Sequence, residues 1–211
     1  MRILSQSEES EWGVEFDSQI QESEAMTAKH WESPRSFEWL QPKLSGPYLL
    51  LLDGREVGRM VRPSWMSSVW HGQSEFGRWK LADVGFWRRH YEARDLETDE
   101  LLGDYRMKWH AAEGTLSLPE GHALAWRQRG WLNRTAAFVD SSHREIVQLR
   151  MGRERGGERF SDVFKTQGTV STSPGRHMPR TVCLLVFFAW FLVMVQQEEA
   201  SAIAASTAAV S

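Results

Sequence analysis

From residue 48 onward, apolar and polar positions alternate with a period of two in short segments, each ended by Gly, Pro, Asp or Ser. A period of two places every second side chain on one face of an extended chain, the pattern of a half-buried strand. Strands are predicted at 48–52, 55–61, 65–71, 75–82, 86–94, 101–110, 115–118, 123–128, 131–139, 145–151, 159–165 and 168–171. Asp53-Gly54 supplies the positive φ values that a two-residue type I′ hairpin turn needs. Pro119-Glu120-Gly121 and Asp140-Ser141-Ser142-His143 mark further turns. About twelve segments at this spacing predict a mainly β fold, an antiparallel sandwich or barrel.

The pattern breaks once. Residues 181–195 (TVCLLVFFAWFLVMV) contain no charge and no strong helix breaker, and Pro179 stands where the first helical turn tolerates a missing N–H. At about 1.5 Å per residue, fifteen helical residues span roughly 22 Å, less than the ~30 Å of a bilayer's hydrocarbon layer. A helix apolar on every face needs apolar surroundings on every face, and a barrel with large inward side chains offers them. The expected architecture is therefore an antiparallel β-barrel of about twelve strands enclosing a hydrophobic C-terminal helix at 181–195. Residues 1–45 read as an acidic, loosely ordered extension, 46–199 as the barrel domain, and 200–211 as an Ala/Ser-rich tail of frayed helix or disorder.

The element order, the Asp53-Gly54 hairpin, the hairpin over 114–126 and the apolar run at 181–195 resemble the tubby C-terminal-like superfamily, which includes tubby domains, phospholipid scramblases and LURP-one-related proteins. The resemblance covers roughly residues 46–199. It implies a twelve-stranded barrel threaded by a C-terminal helix, and it points toward membranes through phosphoinositide binding and proposed lipid movement. No position matches the phosphoinositide-contacting residues of tubby domains. Neither the acidic calcium-binding segment nor the cysteine-rich stretch of scramblases is present, so no functional residue is carried over.

Composition narrows the function classes. The 211 residues are 41% hydrophobic and 25% charged, with 11 Trp and 10 Phe, an aromatic load suited to pleated half-buried surfaces. Net charge is −3. Residues 1–45 hold nine acids against four bases, leaving +2 for the rest, which argues against a nucleic-acid partner. The start of the chain shows no continuous apolar stretch of the signal-peptide kind. The one cysteine, Cys183, falls within the apolar run and reads as a core residue.

Candidate chemistry is sparse. His30, His71, His90, His110, His122, His143 and His177 make no His-x-x-x-His pair, and no Cys/His set suits zinc. No Gly-x-Ser-x-Gly elbow occurs. The segment 152–157 is glycine-rich but lacks the Gly-Lys-Ser/Thr ending of a P-loop. With Arg150, Arg153, Arg155 and Arg159 it is a candidate loop for an anionic headgroup or phosphate, weighed against a solvated loop whose Glu154 and Glu158 offset the charge. Arg88, Arg89, Arg127, Arg129 and Arg134 lie among aromatics, a setting for cation–π contacts. No catalytic, metal or cofactor residues are assigned. The favoured reading is a cytoplasmic, non-enzymatic barrel that binds a protein partner or a membrane surface. A tail-anchored protein with 181–195 as its span and the barrel in the cytoplasm is the second, and an enzyme with an unrecognised site the third.

Overall fold

The computed structural model describes residues 34–41, 46–64, 67–85, 89–108, 113–119, 121–129, 135–151, 167–173 and 177–208, for residues 129, 167 and 200–208 by backbone alone. Twelve strands form one closed barrel: β1 (Arg35–Leu40), β2 (Tyr48–Leu52), β3 (Arg55–Val61), β4 (Val69–Ser74), β5 (Gly77–Asp83), β6 (His90–Asp95), β7 (Leu101–Met107), β8 (Glu113–Ser117), β9 (Ala123–Arg129), β10 (Thr135–Val139), β11 (Glu145–Met151) and β12 (Gln167–Thr172). Each strand pairs antiparallel with its sequence neighbours, and β12 closes the ring on β1 through Phe37 opposite Val170. The helix α1 (Pro179–Ala208) follows β12.

The expected fold class holds, with two differences in its parts. Residues 35–40, assigned by the sequence to the acidic extension, form β1. Only Phe37 and Trp39 face inward there, too short an alternation to stand out from the acidic residues around it. The predicted strand at 159–165 lies outside the described residues. Finally, the helix does not stop at 195 but continues through the Ala/Ser segment to Ala208. Alanine is the strongest helix former, and the segment inherits a helix already nucleated upstream.

Why the helix lies inside follows from the width of the barrel. Eight strands leave a lumen that side chains alone can fill, and diameter grows with strand number. Twelve strands enclose room for a helix ~10 Å across with its side chains. Residues 182–194 are all buried, at most 6% exposed. By local propensity a run so rich in Val and Phe would favour a strand. Inside a ring whose edges are already paired, however, only a helix satisfies its own N–H and C=O groups. Val182 N–H donates to the Met178 carbonyl at 3.0 Å as the first turn forms.

The wall and the helix interlock by size. Phe37, Trp39, Met60, Trp70, Trp79, Tyr91, Tyr105, Leu116, Trp126 and Phe138 point inward at every second position, interrupted by small residues. A Cβ on Gly58 or on Gly72 would sit 2.8 Å from the Phe187 ring, and one on Gly168 would sit 2.9 Å from Trp190. These glycines are notches for helix aromatics. Trp39 stacks on Trp190 at 5.3 Å and meets Phe187 edge-on, while Phe191 meets Tyr91 edge-on at 5.7 Å. Such aromatic contacts add about 0.5–1.5 kcal/mol each beyond area burial.

Gly72→Ala is expected to destabilise by about 1–3 kcal/mol through overpacking, read as a lowered denaturant midpoint. Adding Phe187→Leu is expected to recover part of that loss. Additive losses in the double variant would show that the notch and the ring are not coupled.

Candidate functional site

Because the strands alternate in direction, their connections divide between the two ends of the barrel. At the end where α1 begins, a cleft of about 1020 Å³ opens between the helix start, the β8–β9 turn and the β10–β11 turn. Leu102, Leu118, Leu124 and Leu184 line its floor, and His122, His177, Glu100, Asp140, Arg144 and Arg180 its walls. Met178 stands on the lip, 66% exposed. The His122 and His177 rings lie edge to face at 6.0 Å.

Turn chemistry places the cleft's charges and neutralises them. Asp140 accepts backbone N–H bonds from Ser142 and Arg144, both at 2.9 Å, and binds the Arg144 guanidinium through its second oxygen at 3.1 and 3.2 Å. His143 takes φ 64° to close this turn. Asp95 likewise accepts from Glu97 and Thr98 and receives Arg180 at 2.6 Å, tying the helix start to the β6–β7 turn. These hydrogen bonds hold the Asp95 carboxyl below its ordinary range, first through the Thr98 and Glu97 amides. For Asp140 the Arg144 amide comes first. Both arginines are thus paired with carboxylates.

The opposite end clamps the helix a second time. Glu198 receives Arg62 and Glu199 receives Arg89, each at 2.8 Å. The Arg62 guanidinium also lies 5.4 Å over the Trp70 ring, a cation–π contact outside the arginines singled out by sequence. Gln128 hydrogen-bonds Gln196.

Several polar side chains are buried or half-buried in the barrel wall. The Cys183 thiol is fully buried, 3.3 Å from the Ser74 hydroxyl, and burial drives its pKa far above the usual thiol value, so it is the core residue expected. The Tyr105 hydroxyl has no hydrogen-bond partner among the described residues; burial raises the Tyr91 and Tyr105 pKa values far beyond the ordinary phenol, the nearby Glu199 carboxylate adding to the shift at Tyr91. His90 Nε2 lies 2.8 Å from Asp104 on the outer face of β6 and β7, where no hydroxyl or thiol bonds to it among the described residues. His71 is held below its ordinary pKa by burial and then by Lys80 and Arg78. His30 and His110 lie outside the described residues. Among those described, no group of three or more His, Cys, Asp or Glu is placed to hold a metal.

Of the candidate anionic-ligand loop, Arg150 sits exposed near the end of β11, at the barrel end remote from the cleft. Arg153, Arg155 and Arg159 lie outside the described residues. Sorting the connections by end shows what the linear sequence conceals. At the cleft end, the described residues of the connections carry Asp53, Glu75, Glu97, Asp99, Glu100 and Asp140 against Arg144. At the other end they carry Arg62, Arg89 and Lys108, which pair with Glu198, Glu199 and Glu113. In the sequence, the connecting segments of this second set (41–47, 62–68, 84–89, 108–112, 130–134 and 152–166) also contain Lys43, Arg88, Arg134, Arg153, Arg155, Arg159 and Lys165 against Glu154, Glu158 and Asp162, together with Trp65, Trp87, Trp109 and Trp131, all outside the described residues. Among the described residues the cleft end is acidic, and the three cations of the other connections are ion-paired.

The fold is found elsewhere. A protein from Arabidopsis thaliana known by its X-ray structure superposes with a TM-score of 0.51 at 13% identity, over 81% of this chain and 95% of its own. No protein-family model matches the chain, and no curated protein matches it.

The depressed Asp140 carboxyl has a signed consequence for stability. Its stabilisation is complete above the ordinary carboxylate value of about 3.9 and is lost as pH falls through the lower folded value. Asp140→Asn is expected to flatten the acid limb of a plot of denaturant midpoint against pH between about 5 and 2. An unchanged acid limb would remove Asp140 from the account. Separately, Cys183 is expected to resist thiol reagents in the native protein and to react on unfolding, measured by absorbance of the released chromophore.

Proposed function

We propose that this protein is a non-enzymatic member of the tubby C-terminal-like superfamily that docks, through the basic and aromatic end of its barrel, onto an anionic membrane surface on the cytoplasmic side. The observation that supports this reading is in the sequence of the two sets of connecting segments: Lys, Arg and Trp collect in the set remote from the cleft. Lys and Arg near an anionic bilayer each gain about 1 kcal/mol, and Trp favours the headgroup layer, where its ring is half wet and half apolar. Twelve antiparallel strands around a C-terminal helix, with a distant likeness to a plant protein of the same fold, support membership in the superfamily. The paired charges of the cleft support the non-enzymatic part.

The helix is long and apolar enough to cross a membrane by length and composition. Its apolar residues are buried against the barrel wall, which favours a plug over an anchor. The membrane contact proposed here is therefore peripheral, made by loops and not by a span.

The purified full chain is expected to cosediment with phosphatidylcholine vesicles containing phosphatidylserine and not with phosphatidylcholine alone. Raising salt from about 0.1 M to about 1 M shortens the Debye length from ~10 Å to ~3 Å and should release it. Lys108→Glu with Arg150→Glu should weaken binding roughly tenfold or more, at about 1 kcal/mol per cation near the surface. Salt-insensitive binding, or equal binding to neutral vesicles, would overturn the proposal.

A further inference from the structure

The cleft beside the start of α1 takes no part in a contact made at the opposite end of the barrel. Its volume of about 1020 Å³ lies at the upper end of the ~300–1,000 Å³ range of small-molecule sites. Its walls are fixed before any ligand arrives. Leu118 N–H donates to the His122 carbonyl at 2.8 Å and Gly121 N–H to the Leu118 carbonyl at 3.1 Å, closing the β8–β9 turn. Asp140 N–H donates to the Arg144 carbonyl at 3.0 Å and His143 N–H to the Asp140 carbonyl at 2.9 Å, closing the β10–β11 turn. Arg180 on Asp95 holds the helix start. A cleft preorganised in this way loses little binding energy to ordering. Its floor of four leucines is apolar, and Met178 on the lip has an unbranched thioether that adapts to the shape of what it meets. Among the described residues three large apolar side chains are exposed, and two of them stand at this mouth: Met178, and Leu101 between the lining residues Glu100 and Leu102.

Charge decides which amphipathic ligand suits this floor. Most carboxylates nearby are already neutralised: Glu97 by Arg78, Asp99 by Lys80 and Arg94, Asp140 by Arg144 and Asp95 by Arg180. Glu100 lines the cleft and makes no ion pair among the described residues. The wall arginines offer an anion little, since Arg144 and Arg180 already face carboxylates at 3.1 and 2.6 Å. An incoming carboxylate would meet two neutralised cations and the unopposed charge of Glu100, whereas an incoming ammonium meets that charge alone. We infer that the cleft binds a small amphipathic cation, an ammonium group on an aliphatic body, with its head at Glu100 and its body over Leu102, Leu118, Leu124 and Leu184. Glu100 precedes Leu102 by two residues, about 7 Å of extended chain, so head and body are met together. The apolar body supplies most of the affinity, and the exposed carboxylate supplies the choice of head group. This site does not depend on the membrane reading, and the failure of either leaves the other standing.

The probe is octylammonium, set against octanol and octanoate, which share its chain and differ in the charge of the head. The full chain, carrying labelled Met and Leu methyl groups, is titrated with each and followed by proton–carbon NMR without vesicles. Octylammonium is expected to shift the Met178 and Leu184 methyl signals saturably in roughly the millimolar range or below, octanol more weakly and octanoate least. Glu100→Gln, at an exposed position, is expected to weaken octylammonium about threefold to fivefold, the scale of one exposed ion pair, and to leave octanol unchanged. Glu97→Gln removes the same charge from the same turn, but that carboxylate faces Arg78 and does not line the cleft; it is expected to change octylammonium less than about half as much. Octanoate binding as tightly as octylammonium overturns the choice of a cation. Equal effects of the two substitutions overturn the place given to Glu100. Shifts that spare Met178 and Leu184, or no saturable shift with any probe, overturn the site itself.

Discussion

The structure depends on filling a lumen. A ring of twelve strands satisfies every backbone partner around its circumference, yet its inward side chains cannot meet across the middle. Without α1 the inner faces of Trp39, Trp79, Tyr91 and Trp126 would line a void or a water-filled tube, each losing the burial that makes the strand worth forming. The helix is subject to the same requirement from the other side, since a segment apolar all round has no stable place in water. Ring and helix are each the other's solvent. The glycine notches at Gly58, Gly72 and Gly168 set where along the axis the helix comes to rest, because only those positions admit Phe187 and Trp190.

Ion pairs then finish what packing begins. Arg180 with Asp95 at one mouth, and Arg62 and Arg89 with Glu198 and Glu199 at the other, fasten the helix where it leaves the apolar interior. Exposed pairs of this kind are individually weak, about 0–1 kcal/mol. They matter as register marks, since sliding the helix by one turn would break all three at once.

Much of this architecture was legible because two periodicities differ so sharply. Alternation at 48–52, 55–61 and 145–151 matched the strands residue for residue, and Asp53-Gly54 gave a turn with φ 51° and 76° as its composition implies. What escaped was short or positional. β1 carries only two inward residues and sits in acidic sequence. The cleft residues His122, His177, Arg144 and Arg180 had no pattern to announce them, being gathered from three turns and a helix start. The uneven charge of the connecting segments was written in the sequence but could not be read until strand order sorted them into two sets. Within Arg150, Arg153, Arg155 and Arg159 the sequence drew attention to one basic connection of a set of six.

The helix that fills the lumen comes after all twelve strands in the chain. Each strand emerging from the ribosome exposes tryptophans and tyrosines meant for a partner not yet translated, and β1 must wait for β12 before the ring can shut. The nascent chain is thus an incomplete container until the helix appears. Closure and filling then have to occur together, over contacts that span almost the whole sequence, which favours slow folding and a dependence on chaperone custody in the interval.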